Sequence, residues 1–280
     1  MPELPDIVYQ MDILKKEVLG RKIVSAKAHH PIVVRSYLGD EGADLLAGSI
    51  IDKIDYRGPF FHFHLGEYVL IVNHMLAGYF KISKKLPKAA LVFHLELEGG
   101  IFLSVHDKKQ MAQVYVGEKG VESQIQRYQE QGVPIFSDDF TKEYFISQIK
   151  KARCQVRVFI MDNAIMSSVG NAYADEILFD AGLHPKTRCN KLSSEEMEKL
   201  YVSVVEVMRW GAERVAAAGE SIDKKIRGHV KVRNRKNEPC PVCGMSIRRA
   251  QVLGVDVFFC PRCQPDRSGG LVDWTKLPGT

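Results

Sequence analysis

The hydrophobic period of this 280-residue chain changes along its length, and that change limits the folds it can adopt. From Lys22 to about Val116, apolar residues form short runs typical of β-strands, with Gly66-Glu67 and Gly99-Gly100 marking hairpin turns. So many short strands at this spacing predict a β-sandwich or flattened barrel. The predicted strands are Ile23–Ala28, Ile50–Tyr56, Phe60–Leu65, Tyr68–His74, Tyr79–Ile82, Ala90–Leu97, Ile101–Val105 and Gln113–Val116.

Helical patterns stand on both sides of this strand-rich region. Residues from about Pro5 to Leu19 carry apolar side chains at helical spacing. A second helix is predicted for Thr141–Lys151. Ser193 and Glu196 form a capping box for a third, which is expected to run from Ser194 to about Ala218. The chain is therefore expected to combine a sandwich with a separate helical region.

Two Cys-x2-Cys pairs lie in the most basic part of the chain, with sixteen residues between them: Cys240, Cys243, Cys260 and Cys263. Each pair can direct two sulfurs toward one point, and four thiolates suit a tetrahedral ion. The segment Ile247–Phe259 between the pairs is predicted to form a β-hairpin that turns at Gly254. The spacing favours a structural zinc ion over free thiols or disulfides.

Charge and composition limit the partners and the cellular location that are expected for this chain. The formal net charge of +5 permits anionic partners without requiring them. The basic run from Lys224 to Lys236 leads into the cysteine hairpin, which indicates nucleic acid more strongly than the run alone would. The acidic, proline-containing start is unlike a signal peptide, and no apolar run is long enough to cross a membrane. With Cys154 and Cys189 as reduced thiols, a cytoplasmic protein without a membrane partner is expected.

The N-terminus carries a possible nucleophile. Removal of the initiator methionine would leave Pro2 with a secondary amine whose pKa is about 8, so part of it is neutral at physiological pH. Such an amine can attack a sugar C1′ atom and form an iminium, and Glu3 could transfer a proton. Alternatively, Pro2 and Pro5 flank the start of a helix. These residues alone favour the helix-start interpretation.

A Gly170-Asn171 turn precedes Ala172-Tyr173-Ala174-Asp175-Glu176, which has a helical pattern. Such a turn can present backbone N–H groups and an amide to a phosphate. It is also common in ordinary helical domains. The motif alone is therefore weak.

In this order along the chain, these motifs resemble the formamidopyrimidine-DNA glycosylase/endonuclease VIII family of base-excision repair enzymes. The resemblance covers nearly the whole chain. It rests on Pro2-Glu3-Leu4-Pro5, Met161-Asp162-Asn163, Val169–Glu176, Ala181-Gly182-Leu183-His184-Pro185, and the two cysteine motifs. It implies an α+β multidomain fold: an N-terminal β-sandwich with a leading helix, a helical helix–two-turn–helix domain, and a C-terminal four-cysteine zinc-finger β-hairpin.

The corresponding domain boundaries are predicted from the same patterns. They are a catalytic sandwich domain (1–123), a linker (124–140), a helix–two-turn–helix DNA-binding domain (141–235), a zinc finger (236–265) and a tail (266–280). The resemblance also implies a monomer that binds damaged double-stranded DNA in the cytoplasm, associated with the nucleoid.

The resemblance implies particular roles. Pro2 matches the proline that attacks C1′ after the damaged nucleotide is flipped out, and Glu3 matches the carboxyl that protonates the sugar ring oxygen. The resulting iminium permits elimination that cuts the strand. Asn171 matches an asparagine that holds a phosphate, and Arg157 stands where the family has a basic residue, as a further backbone contact.

Two positions depart from the family in ways that affect DNA grip. Where the family has Arg-Gly-Lys-Tyr, this chain has Arg57-Gly58-Pro59-Phe60, so a phosphate-binding lysine is absent. The family arginine five residues before the third cysteine falls on Val255. Three neighbours could compensate: Arg248, Arg249 and Arg262.

The residues expected to enter the duplex differ as well. In the segment Asn73–Gly78, Leu76 takes the place of a methionine wedge, with His74 as a further DNA contact. In the segment Asp107–Ala112, Lys109 and Met111 replace an arginine and a phenylalanine. The apolar wedges are kept, whereas recognition of the orphaned base is expected to change.

Two functions remain open. The first is a DNA glycosylase and AP lyase that acts through a Pro2 Schiff base; the short segment from Gly219 to Cys240 favours oxidised pyrimidines over 8-oxoguanine. The second is a weak or inactive paralogue that binds damaged or distorted DNA, which Pro59 and Val255 favour. The pair Pro2-Glu3 favours the enzyme, because a binding module has no need of it.

Overall fold

The structure is a computed structural model that describes residues 2–39 and 42–266. All but the first residue of the predicted tail lies outside the described residues. The chain opens with helix α1, Leu4–Glu17, which has Glu3 as its N-cap. The Glu3 backbone N–H donates to Asp6 Oδ2 (2.9 Å) and the Glu3 side chain accepts from the Asp6 N–H, which together form a capping box.

Nine strands form the predicted sandwich. One sheet has the order β2-β9-β5-β4-β3 and the other β1-β7-β8-β6. The apolar faces enclose a core that contains Ile23, Phe61, Phe63, Phe80 and Leu95. The strands are β1 Ile23–Ala28, β2 Val34–Ser36, β3 Lys53–Arg57, β4 Phe60–Leu65, β5 Tyr68–Asn73, β6 Tyr79–Ser83, β7 Leu91–Leu97, β8 Ile101–His106 and β9 Gln113–Glu118.

Strand register gathers three connections at one end of the sandwich. Asn73 at the end of β5 pairs with Gln113 at the start of β9, and with Phe60 at the start of β4. In the other sheet, Tyr79 at the start of β6 pairs with His106 at the end of β8. The 74–78 and 107–112 loops therefore pass side by side from sheet to sheet, next to the β3–β4 turn.

Helices and one hairpin make up most of the remainder. They are α2 Gln126–Gln129, α3 Lys142–Lys151, α4 Val156–Ile160, α5 Asn171–Ala181, α6 Ser194–Ala217, β10 Arg248–Val252 and β11 Val255–Phe259. Thr141 caps α3 by accepting from the Tyr144 N–H at 3.0 Å. The predicted Ser193–Glu196 capping box is confirmed, with hydrogen bonds of 2.9 and 3.1 Å. Leu253 and Gly254 both have positive φ, so the hairpin turns where it was predicted.

The described residues fall into two compact units. The first runs to Ser137 and adds Asp162–Gly170 and Met208–His229. The second comprises Asp138–Met161, Asn171–Val207 and the residues from Val230 onward. The sequence-derived domain boundaries stay a prediction. Among the described residues, no helix is both long and apolar enough to cross a membrane.

Candidate active site and nucleic-acid interface

Glu3 lies in a buried ion-pair cluster of the first unit. Its side chain is only 3% exposed and Oε2 accepts from Arg227 Nη2 at 2.6 Å. Arg227 also donates from Nη1 to Asp6 Oδ1 (2.7 Å) and from Nη2 to Asp6 Oδ2 (2.6 Å). Charge-assisted bonds this short, two of them in a fork on Asp6, fix both carboxylates. The Arg227 guanidinium therefore holds both Glu3 and Asp6, the two residues of the capping box at the start of α1.

The 162–170 segment packs closely against Glu3. The Leu4 N–H donates to Ser168 O at 2.9 Å, which ties the start of α1 to the 162–170 segment. A Cβ atom built on Gly170 would lie 2.3 Å from Glu3 Oε1. Only glycine fits there without displacing the carboxylate. Gly170 of the predicted phosphate-binding motif thus also shapes the surroundings of Glu3.

Pro2 lines an open cavity of about 190 Å³, together with Asp6, His74, Leu76, Lys224 and Lys225. His74, predicted to contact DNA, is 1% exposed and packs against Phe80. Burial lowers the pKa of His74 to about 3, so the imidazole is neutral at physiological pH. Its role as a DNA contact stays a prediction, whereas its position makes it an inner wall of the Pro2 cavity.

The two neighbouring loops present the predicted wedge residues at the surface. Leu76 is 61% exposed and Met111 39%, so both apolar side chains are available at the surface. Asp107 is buried and its carboxylate accepts from the Lys109, Met111 and Ala112 N–H groups at 2.7–2.8 Å. Three bonds to one buried carboxylate fix the loop, so Met111 and the exposed Lys109 are held in place.

The β3–β4 turn at the same end of the sandwich lacks the family lysine. Pro59 is buried there. Its neighbour Arg57 is exposed, and its guanidinium donates to Tyr128 O (3.0 Å) and Gln131 O (3.1 Å).

Asn171 begins helix α5 in the second unit and is exposed. Its Oδ1 atom accepts from Arg157 Nη2 at 2.7 Å. Arg157, also predicted to touch the DNA backbone, is 3% exposed and donates from Nε to Asp175 Oδ1 at 3.2 Å. Because the carbonyl oxygen of the amide is engaged, its NH₂ group is left to donate outward. Arg157 is therefore in a position to orient the side-chain amide of Asn171.

Two buried carboxylates on α5 hold the basic segment that leads into the hairpin. Glu176 accepts from the N–H groups of Lys231, Val232 and Arg233 at 2.8–3.0 Å. Asp175 accepts from Arg233 Nη1 (2.8 Å) and the Phe258 N–H (3.1 Å). Burial raises the pKa of both carboxyl groups, although these donors act in the opposite direction.

The four cysteines come together as predicted. Their Sγ atoms all lie within 4.8 Å of one another, with Cys240–Cys263 at 3.8 Å and Cys243–Cys260 at 3.4 Å. A tetrahedral zinc site with Zn–S bonds of about 2.3 Å needs sulfur separations of about 3.8 Å. The cysteine group therefore fits a structural zinc ion, which it would hold at the base of the β10–β11 hairpin.

Val255, the position of the missing family arginine, begins β11. Of its proposed substitutes, Arg249 lies 3.4 Å from Asp256 Oδ2 and Arg262 donates to Cys243 O at 3.4 Å. Arg248 is exposed, with no side-chain hydrogen bond among the described residues. Arg248 is thus the most available of the three for a phosphate.

Three family models match the chain. They are the formamidopyrimidine-DNA glycosylase N-terminal domain (residues 1–114), the formamidopyrimidine-DNA glycosylase H2TH domain (132–223), and the zinc finger found in FPG and IleRS (237–265). A formamidopyrimidine-DNA glycosylase of Oceanobacillus iheyensis is 28% identical, with 96% of this chain and 99% of the relative covered.

Solved structures agree with that assignment at the level of fold. The Lactococcus lactis Fpg bound to abasic-site DNA has a TM-score of 0.85 at 22% identity, covering 94% of this chain and 100% of that one. Its complex with DNA containing an oxidised pyrimidine has a TM-score of 0.86 at 22% identity, covering 95% and 100%. The chain belongs to the formamidopyrimidine-DNA glycosylase family, and the predicted sandwich, helical domain and zinc-finger hairpin are confirmed.

One site residue escaped the sequence reasoning. Arg227 stands in a run of seven basic residues, where it looked no different from its neighbours. In the structure the three arginines of this run are partly buried and bonded internally, whereas its four lysines are exposed. Residue type within the run was the only available signal, since arginine suits buried forked pairing better than lysine.

Proposed function

We propose that this protein is a DNA glycosylase with AP lyase activity that removes oxidised bases from double-stranded DNA. The observation that carries the proposal is the arrangement around Pro2: a cavity at its ring, the Glu3–Arg227 pair beside it, and the exposed side chain of Leu76 on the cavity wall. A protein that only binds DNA does not need a carboxylate that is held in a capping box next to an N-terminal proline.

The chemistry follows from the two residues. In the processed chain, the Pro2 nitrogen would attack C1′ of the flipped nucleotide, the bond from C1′ to the base would break with its electron pair going to the base, and the base would leave with the proton that the Pro2 nitrogen loses. Glu3, in its protonated form, would give a proton to the sugar ring oxygen as the ring opens. The iminium acidifies the C2′ proton; its removal expels the 3′ phosphate, and a second elimination expels the 5′ phosphate. Water then releases the sugar fragment from Pro2.

Arg227 acts as a positioning residue in this scheme. Its three bonds to Glu3 and Asp6 hold the Glu3 carboxyl in one orientation beside Pro2. Its guanidinium is turned toward these two carboxylates, so it does not replace the phosphate-binding lysine that the family resemblance implies at the position of Pro59. Absence of the lysine would weaken phosphate binding by about 1.5–3 kcal/mol if nothing replaced it.

We assign DNA binding to side chains that are exposed at the surface. The Asn171 NH₂ group would donate to a phosphate near the lesion, and Arg248 of the hairpin to another. Leu76 and Met111 would fill the space left by the flipped nucleotide, with Lys109 beside the orphaned base. We propose that the protein works as a monomer associated with the nucleoid, as the family resemblance implies.

Oxidised pyrimidines are the proposed substrates rather than 8-oxoguanine. The support is the short segment from Gly219 to Cys240, which offers little chain to cover a flipped purine. Lactococcus lactis Fpg has been solved with both an oxidised pyrimidine and a Fapy-dG in DNA, so the fold itself accepts either class in that protein.

A second candidate is a paralogue that binds damaged DNA and cleaves little. Two features favour it: Pro59 is buried where the family resemblance implies a lysine, and Val255 begins β11 where it implies an arginine. Under this hypothesis, duplex binding would survive while no covalent intermediate would form.

Borohydride trapping separates the two candidates. The Met-processed protein would be incubated with duplexes carrying an abasic site, an oxidised pyrimidine or 8-oxoguanine, and reduced. We expect a covalent adduct mapped to Pro2, with more product from the pyrimidine lesion than from 8-oxoguanine.

Pro2→Gly and Glu3→Gln provide the controls. Both should bind duplex DNA as the parent does, and both should lose strand cleavage. Cleavage unchanged in both variants would rule out the mechanism. Binding without an adduct on any of the three lesions would instead support the non-cleaving paralogue.

A further inference from the structure

A second group of metal-ligating side chains lies on the sandwich, apart from the cysteines. Asp55 on β3 and His62 on β4 are directly opposed cross-strand partners, and His64 follows two residues later on β4. Alternate residues of a strand point to the same face, so the three side chains share one face of the sheet. One ligand atom from each lies within 4.8 Å of the others.

The separations match those of a zinc site. Asp55 Oδ1 lies 3.7 Å from His62 Nδ1, and Asp55 Oδ2 lies 3.0 Å from His64 Nε2. Zinc bonds to histidine nitrogen and carboxylate oxygen are about 2.0–2.2 Å, so tetrahedral ligand atoms stand about 3.4 Å apart. The two observed distances bracket that value, although each involves a different oxygen of Asp55. The His62 and His64 rings are stacked, with centroids 4.1 Å apart and planes at 15°, so one ring must turn out of the stack to complete the site.

His62 is the most buried member of the group, with a side chain only 5% exposed. Its Nδ1 atom faces the Asp55 carboxylate and has a 3.3 Å contact with the Tyr128 hydroxyl. Nε2, at the other side of the ring, has no hydrogen-bond partner among the described residues. Because the contact of Nδ1 with Tyr128 is long, that nitrogen is available to an ion beside Asp55.

A cation already approaches the same carboxylate. Lys53 Nζ lies 2.8 Å from Asp55 Oδ2, and the lysine side chain is 65% exposed. A long exposed side chain loses little by swinging into solvent, whereas the two imidazoles are held by the strand. The Lys53 ammonium therefore marks where a positive ion is stabilised, and it would compete with a metal for Asp55.

We propose that Asp55, His62 and His64 form a second zinc-binding site, with an open coordination position that water fills. Imidazole and carboxylate ligands suit zinc and related divalent transition metals rather than magnesium or calcium. The site would link β3 to β4, and it is independent of the cysteine hairpin and of the proposed glycosylase activity.

Zinc stoichiometry tests the assignment. Untagged, full-length protein with its cysteine site loaded would be dialysed against buffered micromolar free zinc, and bound zinc would be counted by atomic emission. We expect about two zinc ions per chain for the parent, and about one for His64→Gln and for His62→Gln. One ion in the parent, or two in both variants, would overturn the site.

Two further variants give a directional check. Lys53→Met removes the competing ammonium and should tighten the second zinc site by about two- to fivefold, the effect of removing one charge competitor from an exposed pair. His29→Gln is the matched control, because His29 lies 2.9 Å from His94 but has no carboxylate in that contact. It should leave two ions bound. An unchanged zinc affinity in Lys53→Met would overturn the placement of the ion at Asp55.

Discussion

At the scale of single residues, Arg227 has three roles: it pairs with Glu3, it pairs with Asp6, and it supplies a partly buried positive charge. Removing one partner of a buried ion pair commonly costs about 3–5 kcal/mol, because the other charge is left uncompensated. Here two carboxylates would be left. The residue is therefore expected to matter for stability as well as for the placement of Glu3.

Arg227→Ala should lower the single-turnover rate of strand cleavage at saturating DNA by at least about tenfold, which corresponds to the removal of one charge-assisted hydrogen bond. The dissociation constant for duplex DNA should change little, because the guanidinium is turned toward Glu3 and Asp6. Arg227→Lys, which keeps the charge but not the fork, should recover part of the rate.

Chemical rescue distinguishes positioning from mere support of the fold. Low concentrations of free guanidinium should restore cleavage to Arg227→Ala, since the missing group is replaced in its own cavity. Arg235→Ala, in the same basic run but paired with Glu238, should cleave like the parent. A full-rate Arg227→Ala would remove Arg227 from the mechanism.

Residue-scale features were the hardest to anticipate from the sequence. Glu3 and Arg227 are separated by 224 positions, and no local pattern links two charges so far apart. His74 was predicted as the last residue of a strand and as a DNA contact, and its burial against Phe61 and Phe80 was not anticipated. Pairing across the chain and burial are products of tertiary packing, which neither period nor spacing encodes.

At the scale of elements, local sequence signals predicted more of the structure than they did at the scale of residues. The capping box at Ser193 and the turn at Gly254 depend on interactions within a few residues, and the most distant cysteines of the cluster are only 23 positions apart; all three features are found as predicted. Strand β2, by contrast, was missed. It has three residues and pairs in parallel with β9, far along the chain, so its own sequence carries little signal.

The 107–112 loop shows how one buried carboxylate can set the shape of an element. Asp107→Asn would turn an NH₂ group toward N–H donors that now share a carboxylate, leaving buried groups unsatisfied. The loop should loosen, and Met111 would no longer be held ready to enter the duplex. Glycosylase turnover on an oxidised base in duplex DNA should fall about tenfold.

Cleavage of an abasic site in single-stranded DNA is the internal reference for that variant. It needs no base flipping, so Asp107→Asn should cleave it at the parent rate. Met111→Leu keeps an apolar side chain of similar size and serves as the matched control on both substrates. Equal reductions on duplex and single strand would show that the loop does not act through opening the duplex.

At the scale of the molecule, the proposed chemistry and much of the proposed DNA grip belong to different units. Pro2, Glu3 and Arg227 lie in the first unit, whereas Asn171 and the cysteine hairpin lie in the second. The order of motifs along the sequence was enough to indicate both parts. It could not show that one run of basic residues is divided, with Arg227 in the first unit and Arg233 in the second.

That separation predicts what the hairpin zinc contributes. A Cys240→Ser/Cys243→Ser variant should lose the hairpin ion and bind duplex DNA more weakly, because the exposed Arg248 would no longer be held toward a phosphate. The slope of log affinity against log salt concentration should become shallower by about 0.9 for each phosphate that the protein no longer neutralises. Borohydride trapping on an abasic site at saturating DNA should proceed at the parent rate, since Pro2 and Glu3 are unaffected.

The His62→Gln/His64→Gln protein, which keeps the hairpin ion, should match the parent in salt slope. If the cysteine variant bound DNA with the parent affinity and slope, the hairpin would have no part in the grip; if its trapping at saturation also failed, the proposed chemistry would depend on the hairpin after all.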